Sequence, residues 1–95
     1  MRAHIIAEDR FLHQNIDHHL FVTAADGAEH EYRFEVRRTA PGTDHPESVF
    51  EKTENLSPLL GRCPNTTIDQ LITAEMQAVK NSVTSEEDEI HAHDP

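Results

Sequence analysis

The sequence predicts an α+β fold, in which a small antiparallel β-sheet of about three strands carries one amphipathic C-terminal helix on one face. Two patterns support this prediction. Residues 29–37 alternate between charged and bulkier, mostly apolar side chains, which is the period of a strand with one face in water. Residues 67–83 repeat apolar side chains at helical spacing, so they form a stripe that must pack against another element.

A β-hairpin is predicted around Asp26-Gly27, a pair suited to the positive φ angles of a two-residue type I′ turn. Its arms are residues 18–25 and 28–38. The apolar positions of the second arm are expected to face the core, and its charged positions are expected to face water.

The register of this hairpin has two solutions. A two-residue turn places Phe21 opposite Tyr32. A longer loop with a bulge instead brings Leu20 and Val22 onto the same face as Tyr32.

The remaining elements are predicted from shorter patterns. Residues 2–7 form a short strand, and residues 10–17 form a polar connection. Pro46 suits the first position of a short helix that ends at about residue 52 or 54, although residues 48–50 suit a strand equally well. Residues 55–64 are expected to be irregular, with their leucines under the core.

The C-terminal helix has a defined start. Thr67 and Gln70 have the spacing of a capping box, in which each side chain bonds a free backbone N–H at the other position. We expect the helix to end near Val83. Its apolar stripe consists of Ile68, Leu71, Ile72, Met76, Val79 and Val83.

Residues 1–83 are expected to form a single small α+β domain, and residues 84–95 a disordered acidic tail. The tail contains five acids, no Lys or Arg, and one bulky apolar residue, Ile90. So little apolar surface does not offset the entropy lost on ordering. The tail therefore holds half of the net charge, and the other half belongs to the domain.

The charge balance narrows the class of partner. The 95-residue chain has 18 Asp and Glu against 8 Lys and Arg, a formal net charge of -10. Phosphates repel such a chain, which disfavours direct nucleic-acid binding. A local exception stays open at Arg33, Arg37 and Arg38, which hold much of the positive charge.

No membrane segment or secretion signal is expected. No apolar run approaches the roughly 20 residues that span a bilayer, and the N-terminus becomes charged at Glu8, too early for a signal peptide. We therefore expect a cytoplasmic protein, with the cytoplasm of an infected host included.

The sequence predicts no catalytic site, no metal site and no cofactor. The chain has 8 histidines, but they lack the paired spacing of zinc ligands. On a strand, the adjacent His18 and His19 point to opposite faces and do not chelate together. The single cysteine, Cys63, lies between Arg62 and Pro64, without a base that the sequence places beside it.

An acidic domain without a catalytic motif is typical of a charge-complementary binder, which its field steers onto a basic surface. Glutamates on the hairpin and in the middle segment are the candidate contacts, together with the arginines beside them. If the middle segment is helical, its three glutamates share one face. The candidate residues are Glu29, Glu31, Arg33, Glu35, Arg37, Arg38, Glu47, Glu51 and Glu54.

In size, acidity and lack of a catalytic motif, the whole chain is similar to the small inhibitors that phages encode against host machinery, anti-CRISPR proteins among them. We expect a non-enzymatic protein-binding module that blocks a basic surface of a nucleic-acid-handling complex, with a ribonucleoprotein as one such partner. A small structural or assembly protein that forms a homo-oligomer is the first alternative. A histidine-based metal-binding protein is the second.

Overall fold

A computed structural model describes residues 4–25 and 29–92, with side chains described as far as residue 87. Four strands form one antiparallel sheet in the order β1-β2-β3-β4, and two helices follow. The α+β class is confirmed, with four strands rather than three. The elements are β1 (Ile5–His13), β2 (Ile16–Ala24), β3 (Glu31–Thr39), β4 (Glu47–Asn55), α1 (Ser57–Arg62) and α2 (Ile68–Ala92).

The polar connection predicted over residues 10–17 is wrong, because these residues form the turn and the adjoining ends of the β1–β2 hairpin. β1 continues to His13, which lies opposite Ile16 at the start of β2. The two residues between them, Gln14 and Asn15, have φ angles of 54° and 63°. Positive φ at both central positions is the geometry of a type I′ turn, whose twist matches that of the flanking strands.

The second hairpin has the longer loop of the two predicted alternatives. Val22 lies opposite Phe34, and Ala24 lies opposite Tyr32. Leu20 and Val22 are therefore on the Tyr32 face, and the two-residue-turn register is wrong. The pairing shows no register shift, so the expected bulge is not needed. Asp26-Gly27 itself lies outside the described residues.

The middle segment is a strand. Of the two predicted alternatives, the strand at residues 48–50 is therefore confirmed, and the short helix beginning at Pro46 is wrong. β4 pairs with β3, and Phe50 lies opposite Val36 in the apolar layer. Burial of Phe50 beside Val36 favours the strand over a short helix that would be exposed on most of its surface. The register shifts between Val36 and Arg37, which marks a β-bulge in this edge of the sheet.

The core lies between one face of the sheet and α2. The helix begins as predicted: Thr67 N donates to Gln70 Oε1 over 3.0 Å, and Gln70 N donates to Thr67 Oγ1 over 3.2 Å. These two bonds confirm the capping box. The buried apolar cluster is Leu20, Val22, Phe34, Val36, Leu56, Ile72, Val79 and Val83.

α2 extends beyond its predicted end. It continues through residues 84–92, where the sequence favoured a disordered tail, and residues 93–95 lie outside the described part. Glu87 is the physical reason for the difference, because it accepts hydrogen bonds from His18 and Arg38 on the sheet. Within the described residues, no helix is long and apolar enough to cross a membrane.

Candidate functional site

The sheet has a second face that α2 leaves open, which we call the open face. Side chains alternate between the two faces of a strand. Phe34 and Val36 of β3 lie in the core, so Arg33, Glu35 and Arg37 lie on the open face.

The register of the strands arranges the open face in rows of one charge sign. Side chains directly opposite each other on neighbouring strands lie about 5 Å apart, so a row is a line of close neighbours. The acidic row contains one residue from each strand in order: Glu8, Phe21, Glu35 and Glu51. Three of these four residues are acidic, and Phe21 is uncharged. The basic row beside it consists of Arg10, His19 and Arg37.

Glu35 is the centre of the open face, and it is only 3% exposed. Its Oε1 lies 2.9 Å from Arg33 Nη1, and its Oε2 lies 2.9 Å from Arg37 Nε. Burial opposes ionisation of Glu35, but the hydrogen bond and charge of Arg37, the charge of Arg33 and a hydrogen bond from Ser48 together lower its pKa. The carboxylate is therefore held in its charged form.

Each of the two arginines has a second fixed contact. The Arg37 guanidinium lies over the Phe21 ring, 5.0 Å from its centroid, which is a cation–π arrangement. Arg33 donates to Glu51 on β4 as well as to Glu35. Both arginines remain partly exposed, so two cations with restricted side-chain freedom are presented to solvent.

The basic row borders a shallow groove at one end of the open face. Its lining includes Arg10, Asp17, His19, Arg37 and Thr39. His19 Nε2 lies 2.9 Å from Glu8 Oε1, which links the basic row to the acidic row. In the described part of the chain, the Arg10 guanidinium makes no ion pair. Arg10 and His19 were not among the site residues predicted from the sequence, because only the strand register shows that they lie in one row with Arg37.

The three arginines of the predicted positive patch lie on different faces of the sheet. Arg33 and Arg37 share the open face, whereas Arg38 lies on the helix side of the sheet. There Arg38 Nη2 lies 2.7 Å from Glu47 Oε1, and its Nη1 lies 3.3 Å from Glu87 Oε2. The three predicted arginines do not form one surface.

The three glutamates of the middle segment are also divided. Glu51 is on the open face with Arg33. Glu47 and Glu54 are on the helix side, where Glu54 lies 3.7 Å from Lys52 Nζ. The predicted common helical face is therefore wrong, because a strand sends alternate residues to opposite sides.

The last two candidates are on or near the second hairpin loop. Glu31 is on the open face by alternation and lies opposite Asn55. Glu29 precedes β3, and its Oε1 lies 3.1 Å from His30 Nε2. Five of the nine candidates thus share the open face: Glu31, Arg33, Glu35, Arg37 and Glu51.

Four histidines of the described part of the chain lie beside glutamates. His18 and His13 both lie beside Glu87, at 3.0 Å and 3.5 Å, and His19 and His30 each lie beside another glutamate. Within residues 4–25 and 29–87, no group of three or more His, Cys, Asp or Glu side chains is arranged to hold a metal ion.

Comparisons with known proteins give no relative. No protein-family model, no curated protein sequence and no solved structure matches the chain.

Proposed function

We propose that this protein is a non-enzymatic protein-binding module that docks a partner on the open face of its sheet. The observation that supports the proposal is the double hydrogen bonding of the buried Glu35 by Arg33 and Arg37. The Glu35 carboxylate, at the centre of the open face, fixes two cations in place there.

Fixed charges favour binding for an energetic reason. A flexible arginine loses roughly 0.5–1.5 kcal/mol of conformational freedom when a partner immobilises it. Arg33 and Arg37 lose part of that freedom on folding, because each already has two contacts. A partner with carboxylates opposite these two guanidinium groups therefore binds with a smaller entropic cost.

The alternating rows supply specificity. A partner shifted by one row would bring like charges together across the interface, and such a juxtaposition costs several kcal/mol. The open face therefore suits a partner surface that carries both signs of charge in a matching order.

The net charge indicates which sign dominates on the partner. At -10, the chain is attracted to a surface with excess basic residues, and association with such a surface is accelerated. Protein surfaces that bind nucleic acid are basic in this way. The proposed partner is thus a nucleic-acid-handling complex in the cytoplasm, which the module inhibits by occupying that surface.

Direct binding of nucleic acid is less well supported by the same geometry. A nucleic-acid footprint needs basic side chains that are not interrupted by acids. On the open face, Glu35 lies between Arg33 and Arg37, and Glu51 lies beside Arg33. Arg38 is on the other side of the sheet.

The proposal is tested with two variants of equal net charge. Glu51→Lys changes the open face, and Asp69→Lys makes the same change of charge at the start of α2. Each is immobilised and presented to a panel of purified nucleic-acid-handling complexes, and binding is measured at rising salt. We expect Glu51→Lys to weaken binding at least about tenfold, which corresponds to roughly 1.4 kcal/mol. Asp69→Lys is expected to change it by much less.

Two results would contradict the proposal. One is a panel without any partner whose affinity falls with salt. The other is an equal loss in the two variants, because this would show that only the net charge matters and that the open face is not the contact surface.

A further inference from the structure

The exposed large apolar side chains of the described residues all belong to one strand. Ile5 is 52% exposed, Ile6 is 45% exposed, and Leu12 is 69% exposed. All three are on β1, which is an edge of the sheet. An edge strand presents unpaired backbone N–H and C=O groups, and a long, apolar edge is a template for pairing with another chain.

The opposite edge strand, β4, has no exposed large apolar side chain. β4 carries Glu47, Glu51 and Glu54, and its pairing with β3 is interrupted by a bulge. Charged side chains and bulges are the usual means by which proteins prevent pairing at an edge. The pairing of β1 with β2 also shifts in register, but only between Ile5 and Ala7, so residues 7–13 of β1 are regularly paired. The charges of β1 are of both signs, whereas all but one of the charges of β4 are negative. A second copy of β4 therefore repels the first, and a second copy of β1 can match it.

We propose that two copies of this chain form a dimer by antiparallel pairing of their β1 strands about a two-fold axis at Asp9. This register places Glu8 of each copy opposite Arg10 of the other, so two opposite-charge pairs form. It also places Ala7 opposite Phe11, and it brings Ile6, which lies at the register shift of β1, close to Leu12. Two of the three exposed apolar side chains are then covered at each end of the pairing.

The charges of the strand select this register. An axis at Glu8 places the two Glu8 side chains together and sets Arg10 against Ile6. An axis at Arg10 places the two Arg10 side chains together and sets Glu8 against Leu12. Like charges directly opposite each other are destabilising. The register centred on Asp9 brings the two Asp9 side chains together, but Lys80 pairs with each of them. Only this register also forms the Glu8–Arg10 pairs, so it is favoured over both of its neighbours.

The dimer also gives Arg10 a partner. Within the described residues of one copy, its guanidinium makes no ion pair, whereas the other arginines of the open face are bound to carboxylates. The two Asp9 side chains meet at the axis, and each is already neutralised by Lys80, whose Nζ lies 2.6 Å from Asp9 Oδ2.

The dimer has a consequence for the open face. A two-fold axis perpendicular to the sheet keeps both copies of α2 on the same side, so two four-stranded sheets become one continuous sheet. Arg10 belongs to the basic row and Glu8 to the acidic row, so the basic row of one copy continues into the acidic row of the other. This inference does not depend on the identity of the partner proposed above.

The test is a charge swap on the full chain. Sedimentation equilibrium and light scattering at rising protein concentration measure the dimer of the unaltered chain, Arg10→Glu, and the double variant with Glu8→Arg and Arg10→Glu. Arg62→Glu, on the exposed surface of α1, makes the same change of net charge as Arg10→Glu and is the control. Circular dichroism confirms that each variant is folded.

We expect a concentration-dependent dimer that Arg10→Glu weakens at least about tenfold, because it creates two pairs of like charges. The double variant restores the dimer, since positions 8 and 10 then carry exchanged charges that again face each other with opposite sign. Arg62→Glu leaves the dimer unchanged. Leu12→Lys, which charges the edge without altering the Glu8–Arg10 pair, is expected to weaken it as well. A chain that is monomeric at every concentration would overturn the proposal, and so would a dimer that Arg10→Glu and Leu12→Lys leave intact.

Discussion

Glu87, in the last turns of α2, accepts a hydrogen bond from the ring of His18 on β2, with Oε2 3.0 Å from Nε2. The two residues are 69 positions apart in the sequence. His18 Nδ1 lies 2.8 Å from the carbonyl oxygen of Ile16, and Arg38 Nη1 lies 3.3 Å from the same glutamate oxygen. His13 Nε2 on β1 lies 3.5 Å from Glu87 Oε1. A single acidic residue thus attaches the end of the helix to three strands.

Replacing Glu87 with alanine is expected to lower the free energy of unfolding by about 2 kcal/mol. The change leaves the buried His18 ring without its acceptor at Nε2, and hydrogen bonds to charged groups contribute roughly 1.5–3 kcal/mol. Chemical denaturation measures the loss. Glu86→Ala removes an exposed neighbour on the same helix and should change stability by no more than about 0.5 kcal/mol. Equal stability of the two variants would show that the Glu87 contacts contribute nothing.

The sequence predicted α2 well at its start and poorly at its end, for one physical reason. The capping box of Thr67 and Gln70 is local, so spacing alone identifies it. The attachment of Glu87 depends on His18 and Arg38, which only the folded sheet brings near. Composition indicated disorder because no local pattern records such long-range contacts.

Thr67→Ala is expected to destabilise the protein by about 1 kcal/mol, the usual cost of losing a helix N-cap side chain. Thr67 Oγ1 accepts the hydrogen bond from Gln70 N, and alanine has no acceptor to replace it. Thermal unfolding followed by circular dichroism provides the measurement. Thr66→Ala is the matched control, because the bond from Thr66 N to Cys63 O involves only backbone atoms. A Thr66→Ala loss as large as that of Thr67→Ala would argue against the capping role.

The free energy of unfolding is expected to decrease as the pH is lowered in the acid range, because two carboxyl groups have lowered pKa values in the folded state. Burial alone would raise the pKa of Glu35 above its ordinary 4.5, but Arg37, Arg33 and Ser48 lower it. The hydrogen bond and charge of Lys80 lower the pKa of Asp9 below its ordinary 3.8, against a smaller effect of desolvation. Groups of this kind stabilise the fold above the unfolded-state pKa and lose that contribution as pH falls through the folded-state pKa.

The variant Glu35→Gln isolates the contribution of Glu35. It should reduce the free energy of unfolding at neutral pH by about 1–3 kcal/mol, since Arg33 and Arg37 lose a buried charged acceptor. It should also make the decline of stability below pH 4.5 shallower, because one titrating group is gone. Urea denaturation at a series of pH values checks both effects. An acid decline as steep as that of the unaltered chain would mean that Glu35 does not titrate as described.

The candidate site was predicted only in part, because rows across a sheet require the register. Alternation along β3 was enough to place Arg33, Glu35 and Arg37 on one face. The position of Arg10 beside His19 required the full length of β1, of which the sequence predicted only the first part, within residues 2–7. The side of β1 that faces the helix carries Asp9 and His13 among its apolar residues. Lys80 and Glu87 of α2 meet these two polar side chains, so an inward-facing strand lacks the usual apolar alternation.

The β1–β2 hairpin leads to a final prediction about its turn. Asn15 has a φ of 63°, a value at which glycine is unstrained and a β-branched residue is strongly disfavoured. Asn15→Gly should therefore leave stability unchanged or raise it by up to about 0.5 kcal/mol, whereas Asn15→Val should lower it by about 1–2 kcal/mol. Denaturation of the two variants beside the unaltered chain measures the difference. If valine were tolerated as well as glycine, residue 15 would not occupy the left-handed region, and β1 and β2 would not be joined by a type I′ turn.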